Sequence, residues 1–216
     1  EGRFGLSVNY TSKDGTDDEK GLSGDDSRSF LLTKLEYGSP KWQVSAAMAN
    51  KSAPTATCNG YDGYFHTGLV GETSSTDTVC TGGDMTAYGL RGYWKPDETG
   101  ALPEVQVGYD FASYDEATSG EAEDTAGWMI GLGWKDLFVD GNRAGFAYGS
   151  AQAATKVKGG GSDPEEDNNR WEAYYTFKVN DGVSITPAIF GSSDTGSTSS
   201  AEYDITGGVL LTEFKF

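Results

Sequence analysis

Nowhere in these 216 residues do about 18 apolar residues follow one another, so the chain contains no transmembrane helix. Helix start and stop signals are nearly absent too. Cysteine is scarce: Cys58 and Cys80 stand alone, both within one long polar segment. An oxidising compartment lets such a pair bond and staple its loop, and two free thiols are the alternative. Histidine is scarcer still, with only His66, placed between the cysteines. Acid–histidine chemistry there needs Asp62, Asp77 or Asp84 to approach it, and one loop histidine is more often incidental. There is no Gly-x-Ser-x-Gly, no phosphate-binding Gly-Lys loop and no Cys/His metal spacing. Gly159-Gly160-Gly161-Ser162 opens no helix and reads as a loop tip. These gaps argue against an enzyme, and no cofactor or metal is expected. Apolar residues reach only 36% with a mean hydropathy of −0.51, which alone suggests a soluble chain.

What the sequence has is alternation. In Trp171-Glu172-Ala173-Tyr174-Tyr175-Thr176-Phe177-Lys178-Val179 the odd positions are mostly apolar or aromatic and the even ones mostly polar. A period of two predicts a strand with two unlike faces. Comparable stretches are expected near 3–11, 28–37, 41–51, 85–94, 103–114, 125–135, 142–154, 170–179, 183–192 and 203–216. Most have the roughly 9–11 residues that a tilted strand needs to cross a bilayer. One parity runs through Phe4, Leu6, Val8 and Tyr10, then Trp42, Val44, Ala46 and Met48, then Trp128, Ile130, Leu132 and Trp134. Within these stretches it carries no Lys, Arg, Asp or Glu apart from Asp204 at the loop end of the last one. The other parity carries Arg3, Lys34, Glu36, Arg91, Glu104, Asp110, Lys135, Glu172, Lys178, Glu213 and Lys215. Charge on a lipid-facing mid-bilayer position costs on the order of 2–4 kcal/mol for Lys or Arg, so this segregation is the expected one. The reading is all-β: an antiparallel transmembrane β-barrel with about ten strands in this chain. A soluble sandwich also alternates, but its inward face is rarely so rich in Trp and Tyr at strand ends. Low mean hydropathy is no objection, because half of every barrel strand faces water.

The connections alternate as well. Long acidic segments at 12–27, 52–84, 115–124, 155–169 and 193–202 follow every odd strand, and short turns follow every even one. Asn180-Asp181-Gly182 contains the Asp-Gly pair suited to a tight hairpin. The long segments hold 21 acids and four bases (Lys13, Lys20, Lys156, Lys158), which accounts for the whole formal charge of −17. Such an acidic crown concentrates cations and repels anions within about a Debye length. It argues against nucleic acid as a partner. Solvated Gly/Ser-rich loops are the plainer account, and neither 14–19 nor 163–167 matches an established cation-loop spacing. Lys34, Glu36, Arg91, Asp110, Glu172 and Lys178 are the candidate pore-lining residues, because inward charges at a constriction set ion preference. Mutual pairing that only braces the wall is the alternative.

The stretch from Trp171 through Val183-Ser184-Ile185-Thr186-Pro187-Ala188-Ile189-Phe190, with Gly208-Val209-Leu210-Leu211-Thr212-Glu213-Phe214-Lys215-Phe216, resembles the closing strands of cyanobacterial outer-membrane porins. These are relatives of the carbohydrate-selective porin family. Gly92-Tyr93-Trp94-Lys95-Pro96 and Gly127-Trp128-Met129-Ile130-Gly131-Leu132-Gly133-Trp134 are similar to the preceding strands of marine members. The resemblance implies an outer-membrane location and passive diffusion of small hydrophilic solutes and inorganic ions, with carbohydrates in the family label. It also implies homotrimers, and barrel-assembly machinery reading Phe214 and Phe216 as a terminal signal. Residues 1–216 then correspond to the C-terminal part of the porin domain. The family's signal peptide, N-terminal cell-wall-binding domain and first strands are expected outside them, so the ten strands form part of a larger barrel. An outer-membrane, protease-like enzyme with a loop site near His66, or a plugged structural or receptor barrel, are the alternative functions.

Overall fold

β-Branched and aromatic residues at every second position favour extended backbone with one packed and one solvated side. The computed structural model makes all ten stretches strands: β1 (Arg3–Ser12), β2 (Ser29–Ser39), β3 (Trp42–Ser52), β4 (Met85–Trp94), β5 (Glu104–Tyr114), β6 (Ala122–Lys135), β7 (Arg143–Val157), β8 (Asn169–Asn180), β9 (Val183–Thr195) and β10 (Tyr203–Phe214). The structure describes residues 2–12, 16, 18–19, 21–22, 29–52, 84–97, 100–115, 117, 122–159, 169–195 and 203–215. Among these there is no helix. All strands join one antiparallel sheet in sequence order, each hydrogen-bonded to its chain neighbours. Strands β6, β7 and β9 reach further into the acidic segments than expected, to Ala122, Val157 and Thr195. Register shifts near Asp124–Thr125 and Ala126–Trp128 accompany this extension of the β6–β7 ribbon.

One row of directly opposed residues crosses the whole sheet. It runs Phe4, Tyr37, Val44, Gly92, Val107, Ile130, Tyr148, Trp171, Gly191, Thr206. Directly opposed residues share a face, so the apolar parity expected strand by strand is a single continuous surface. That surface is exposed, with Phe4 at 78%, Leu6 at 71% and Leu210 at 67%. Charges reach this parity only at the loop ends of the irregular strands, at Asp124, Lys156 and Asp204. The row starts at the turn end of β1 and finishes near the loop end of β10, so successive strands are staggered in one direction.

The sheet is not closed. Among the described residues β1 pairs only with β2 and β10 only with β9, so the expected tube is an open wall here. No described helix is long and apolar enough to cross a membrane. The buried core lies on the opposite face, in the loop half of β2–β5, where Ala49, Met85, Ala87, Ala112 and Tyr114 cluster with Phe30 and Leu32. Ala117, from the β5–β6 connection, packs into the same cluster. Strict polar-against-apolar alternation fails there, because small apolar residues occupy positions that read as water-facing.

Candidate functional site

The face opposite the apolar surface carries the charges, and the structure places five of the six candidate residues in ion pairs. Lys34 and Glu36, two apart on β2, meet at 2.5 Å. Arg91 on β4 reaches Asp110 on β5, its Nη2 donating to both carboxylate oxygens at 2.9 and 2.6 Å. Arg91 Nη1 also donates to the carbonyls of Leu90 and Tyr109. Asp110 is fully buried and lies between Gly89 and Gly127 on the flanking strands, which leave room for its partner. Lys178 on β8 pairs with Asp181 of the next turn at 2.7 Å. Glu172 is exposed between Ala147 and Phe190, without a partner among the described residues. Five of these six charges are therefore paired, and among the described residues they do not form a ring of free ones. Cys58, Cys80, His66 and Phe216 lie outside the described residues, as do Asp62 and Asp77. Phe214 is exposed on the apolar face opposite Val183.

A cleft of about 500 Å³ opens on the charged face at the turn ends of β7–β10. It is lined by Arg143, Tyr174, Thr176, Lys178, Ser184, Thr186, Glu213 and Lys215. Local structure fixes this place in three ways. Gly145 faces Tyr174, and any side chain at Gly145 would collide with the phenol ring, so the ring lies flat across the strand. Gly141 has φ +85°, a left-handed conformation that glycine adopts at no steric cost, and a Cβ there would sit 2.6 Å from Lys178 Cδ. The turn between β6 and β7 also places Asp136 and Phe138 at positive φ. Asn142 holds that turn, accepting from the Lys178 backbone N–H at 2.9 Å and donating to Tyr175 Oη at 3.0 Å. Tyr175 Oη in turn donates to the Leu137 carbonyl at 2.8 Å. Thr176 and Thr186 share a hydrogen bond of 2.9 Å across β8 and β9.

Two of the cleft's bases, Arg143 and Lys215, have no side-chain partner among the described residues, and neither has Glu213. Reading the sequence strand by strand placed Glu213 and Lys215 on this face but passed over Arg143. The signal was there, since Arg143 stands one position before Ala144-Gly145-Phe146 and so falls on the other parity. Lys178 holds the Asp181 carboxyl below its ordinary value of 3.8, first by hydrogen bonding and then by charge. A second, smaller cleft of about 350 Å³ lies between Gln43, Arg91, Tyr93 and Gln106, with Lys95 Nζ 5.2 Å from the Tyr93 ring centre. Around the loop ends, Glu123 takes Lys156 at 3.1 Å and Lys158 at 3.7 Å. Among the described residues no three His, Cys, Asp or Glu side chains are grouped to hold a metal.

No family model matches the chain. It is similar to the uncharacterized protein alr4550 of Nostoc sp. (strain PCC 7120), with 27% identity over 188 residues, or 81% of this chain. The chain spans about a third of that protein's length, 31%.

Proposed function

We propose that this chain is wall of an outer-membrane porin, with its apolar face against lipid and its charged face lining a water-filled passage. The observation that carries this reading is the uninterrupted, exposed apolar surface across ten strands, with charge confined to the other face between the loop ends. Soluble monomers rarely expose contiguous apolar patches beyond a few hundred Å². A sandwich would cover that surface with a second layer, and no described residue does. The stagger supports the same reading, because strands must tilt and step in register for a sheet to curl into a barrel.

The open edges are completed, in this reading, by strands of a longer protein or by β1 meeting β10. Hydrocarbon offers no hydrogen bonds, and each unsatisfied backbone group there costs several kcal/mol, so an edge in lipid has to be paired. The resemblance of the last fifty residues to cyanobacterial porins, and the likeness to a Nostoc protein about three times as long, favour added strands. Trimer formation, reading of Phe214 and Phe216 by assembly machinery, and passage of small hydrophilic solutes, ions and carbohydrates belong to the same proposal.

Planar-bilayer recording of the reconstituted protein tests it. Stepwise conductance is expected, with a weak cation preference at low salt that fades as salt rises, because the crown is screened. Anion preference at low salt would overturn the crown argument, and inserted protein that never conducts would overturn the porin.

A further inference from the structure

The structure points to a second property of the turn-end cleft: we infer that it binds a small hydroxylated monoanion, a hydroxy-carboxylate in chemical class. This deepens the porin reading, on which it rests for the idea that the charged face is wet and reachable by solutes. Its support begins with charge. In a chain of net charge −17, the cleft gathers Arg143, Lys178 and Lys215 against Asp181 and Glu213. The 2.7 Å pair between Lys178 and Asp181 leaves the cleft two further bases, Arg143 and Lys215, against the single carboxylate of Glu213. A guanidinium presents a planar fork of donors that matches a carboxylate.

The register sets how the groups are laid out: Arg143 and Lys215 stand three strands and four residues apart across the cleft. Arg143 is opposite Thr176 across β7 and β8, and Thr176 bonds Thr186 on β9, giving a hydroxyl row beside the guanidinium. Glu213 lies opposite Ser184 across β9 and β10, and the Lys215 N–H is tied to the Gly182 carbonyl at 2.8 Å. A carboxylate held by Arg143 lays the rest of its molecule over Thr176 and Thr186, toward Lys215 and Glu213 at the far side of the cleft, where their ammonium and carboxylate meet its hydroxyls. Glu213 repels a bare dianion but accepts hydrogen bonds from hydroxyls, which selects a singly charged, hydroxyl-bearing solute. The volume of about 500 Å³ lies within the ordinary range of small-molecule sites. The acidic crown does not forbid this. Strands of this length separate the two ends by roughly 30 Å, at ~3.3 Å per residue, several Debye lengths at physiological salt.

Equilibrium binding of D-gluconate to the detergent-solubilised full chain tests the inference, with sorbitol and hexanoate as analogues lacking the charge or the hydroxyls. Gluconate is expected to bind at least tenfold more tightly than either. Arg143→Gln and Lys215→Gln should each weaken it at least fivefold, and Lys41→Gln, away from the cleft, should leave it unchanged. Circular dichroism of each variant confirms the fold before binding is read. Equal affinity for gluconate and sorbitol, or unaltered binding in Arg143→Gln, overturns the site. Absence of gluconate binding in a chain that conducts normally refutes this inference and leaves the porin standing. Binding by a chain that inserts and never conducts refutes the porin and leaves the site.

Discussion

At the scale of single residues, the Arg91–Asp110 pair carries the largest local stake. Asp110 is fully buried, and one guanidinium meets both of its oxygens. Removing one partner of a buried pair typically costs about 3–5 kcal/mol, because the other charge is left uncompensated. Arg91→Met is therefore expected to lower stability by about 3 kcal/mol in urea titrations of the detergent-folded chain. Asp110→Asn should cost less, since the charge it leaves behind, on Arg91, is partly open to water; equal losses would show that Arg91 acts mainly through packing. Asp181 gives a pH prediction. Its carboxyl is held below 3.8, so the favourable link to Lys178 is fully present above that value and is lost as pH falls through the lower folded-state midpoint. An NMR titration should place the Asp181 midpoint below 3.8, and Lys178→Met should return it toward that ordinary value. The partner of Lys178 was not legible in the sequence. Alternation assigns Lys178 a face, while the hairpin geometry at Asp181-Gly182 decides which carboxylate it meets.

At the scale of elements, the strands were legible because their two faces differ so sharply. Phe4, Leu6 and Val8 against Gly5, Ser7 and Asn9 leave no doubt about the period. Strand ends were less legible where acidic residues such as Glu123 continue the ladder of β6, since polar composition alone reads as loop. The buried cluster of Ala49, Ala87 and Ala112 was missed for a related reason: small residues satisfy a lumen-facing and a packed position equally well. The apolar stripe itself sets a quantitative expectation. Seven residues from Phe4 to Tyr10 cover about 20 Å at ~3.3 Å per residue, a little short of the ~25 Å band typical of outer-membrane barrels. Leu90→Arg, in the middle of the exposed stripe, should destabilise the folded chain in lipid by about 2–4 kcal/mol. Gln106→Arg, one residue from Val107 on the charged face, should cost less than 1 kcal/mol by the ordinary behaviour of exposed substitutions. Urea titration in phospholipid vesicles checks both, and equal costs would mean that the two faces share one environment.

At the scale of the molecule, an open staggered sheet with one apolar and one charged face makes sense only if something covers the first and closes the edges. Lipid does the former in the present account, and neighbouring strands do the latter. Site-directed fluorescence tests this most directly. Single cysteines are placed along β4 and β5, at Tyr88, Leu90, Arg91, Gln106, Val107 and Tyr109, after Cys58 and Cys80 are changed to Ser. Each is labelled with a small polarity-sensitive dye in reconstituted vesicles and exposed in turn to brominated lipid and to aqueous iodide. The account predicts lipid quenching at 88, 90, 107 and 109 and iodide quenching at 91 and 106. Labels at 88, 90, 107 and 109 that keep their fluorescence in brominated lipid, because protein covers them, would contradict it.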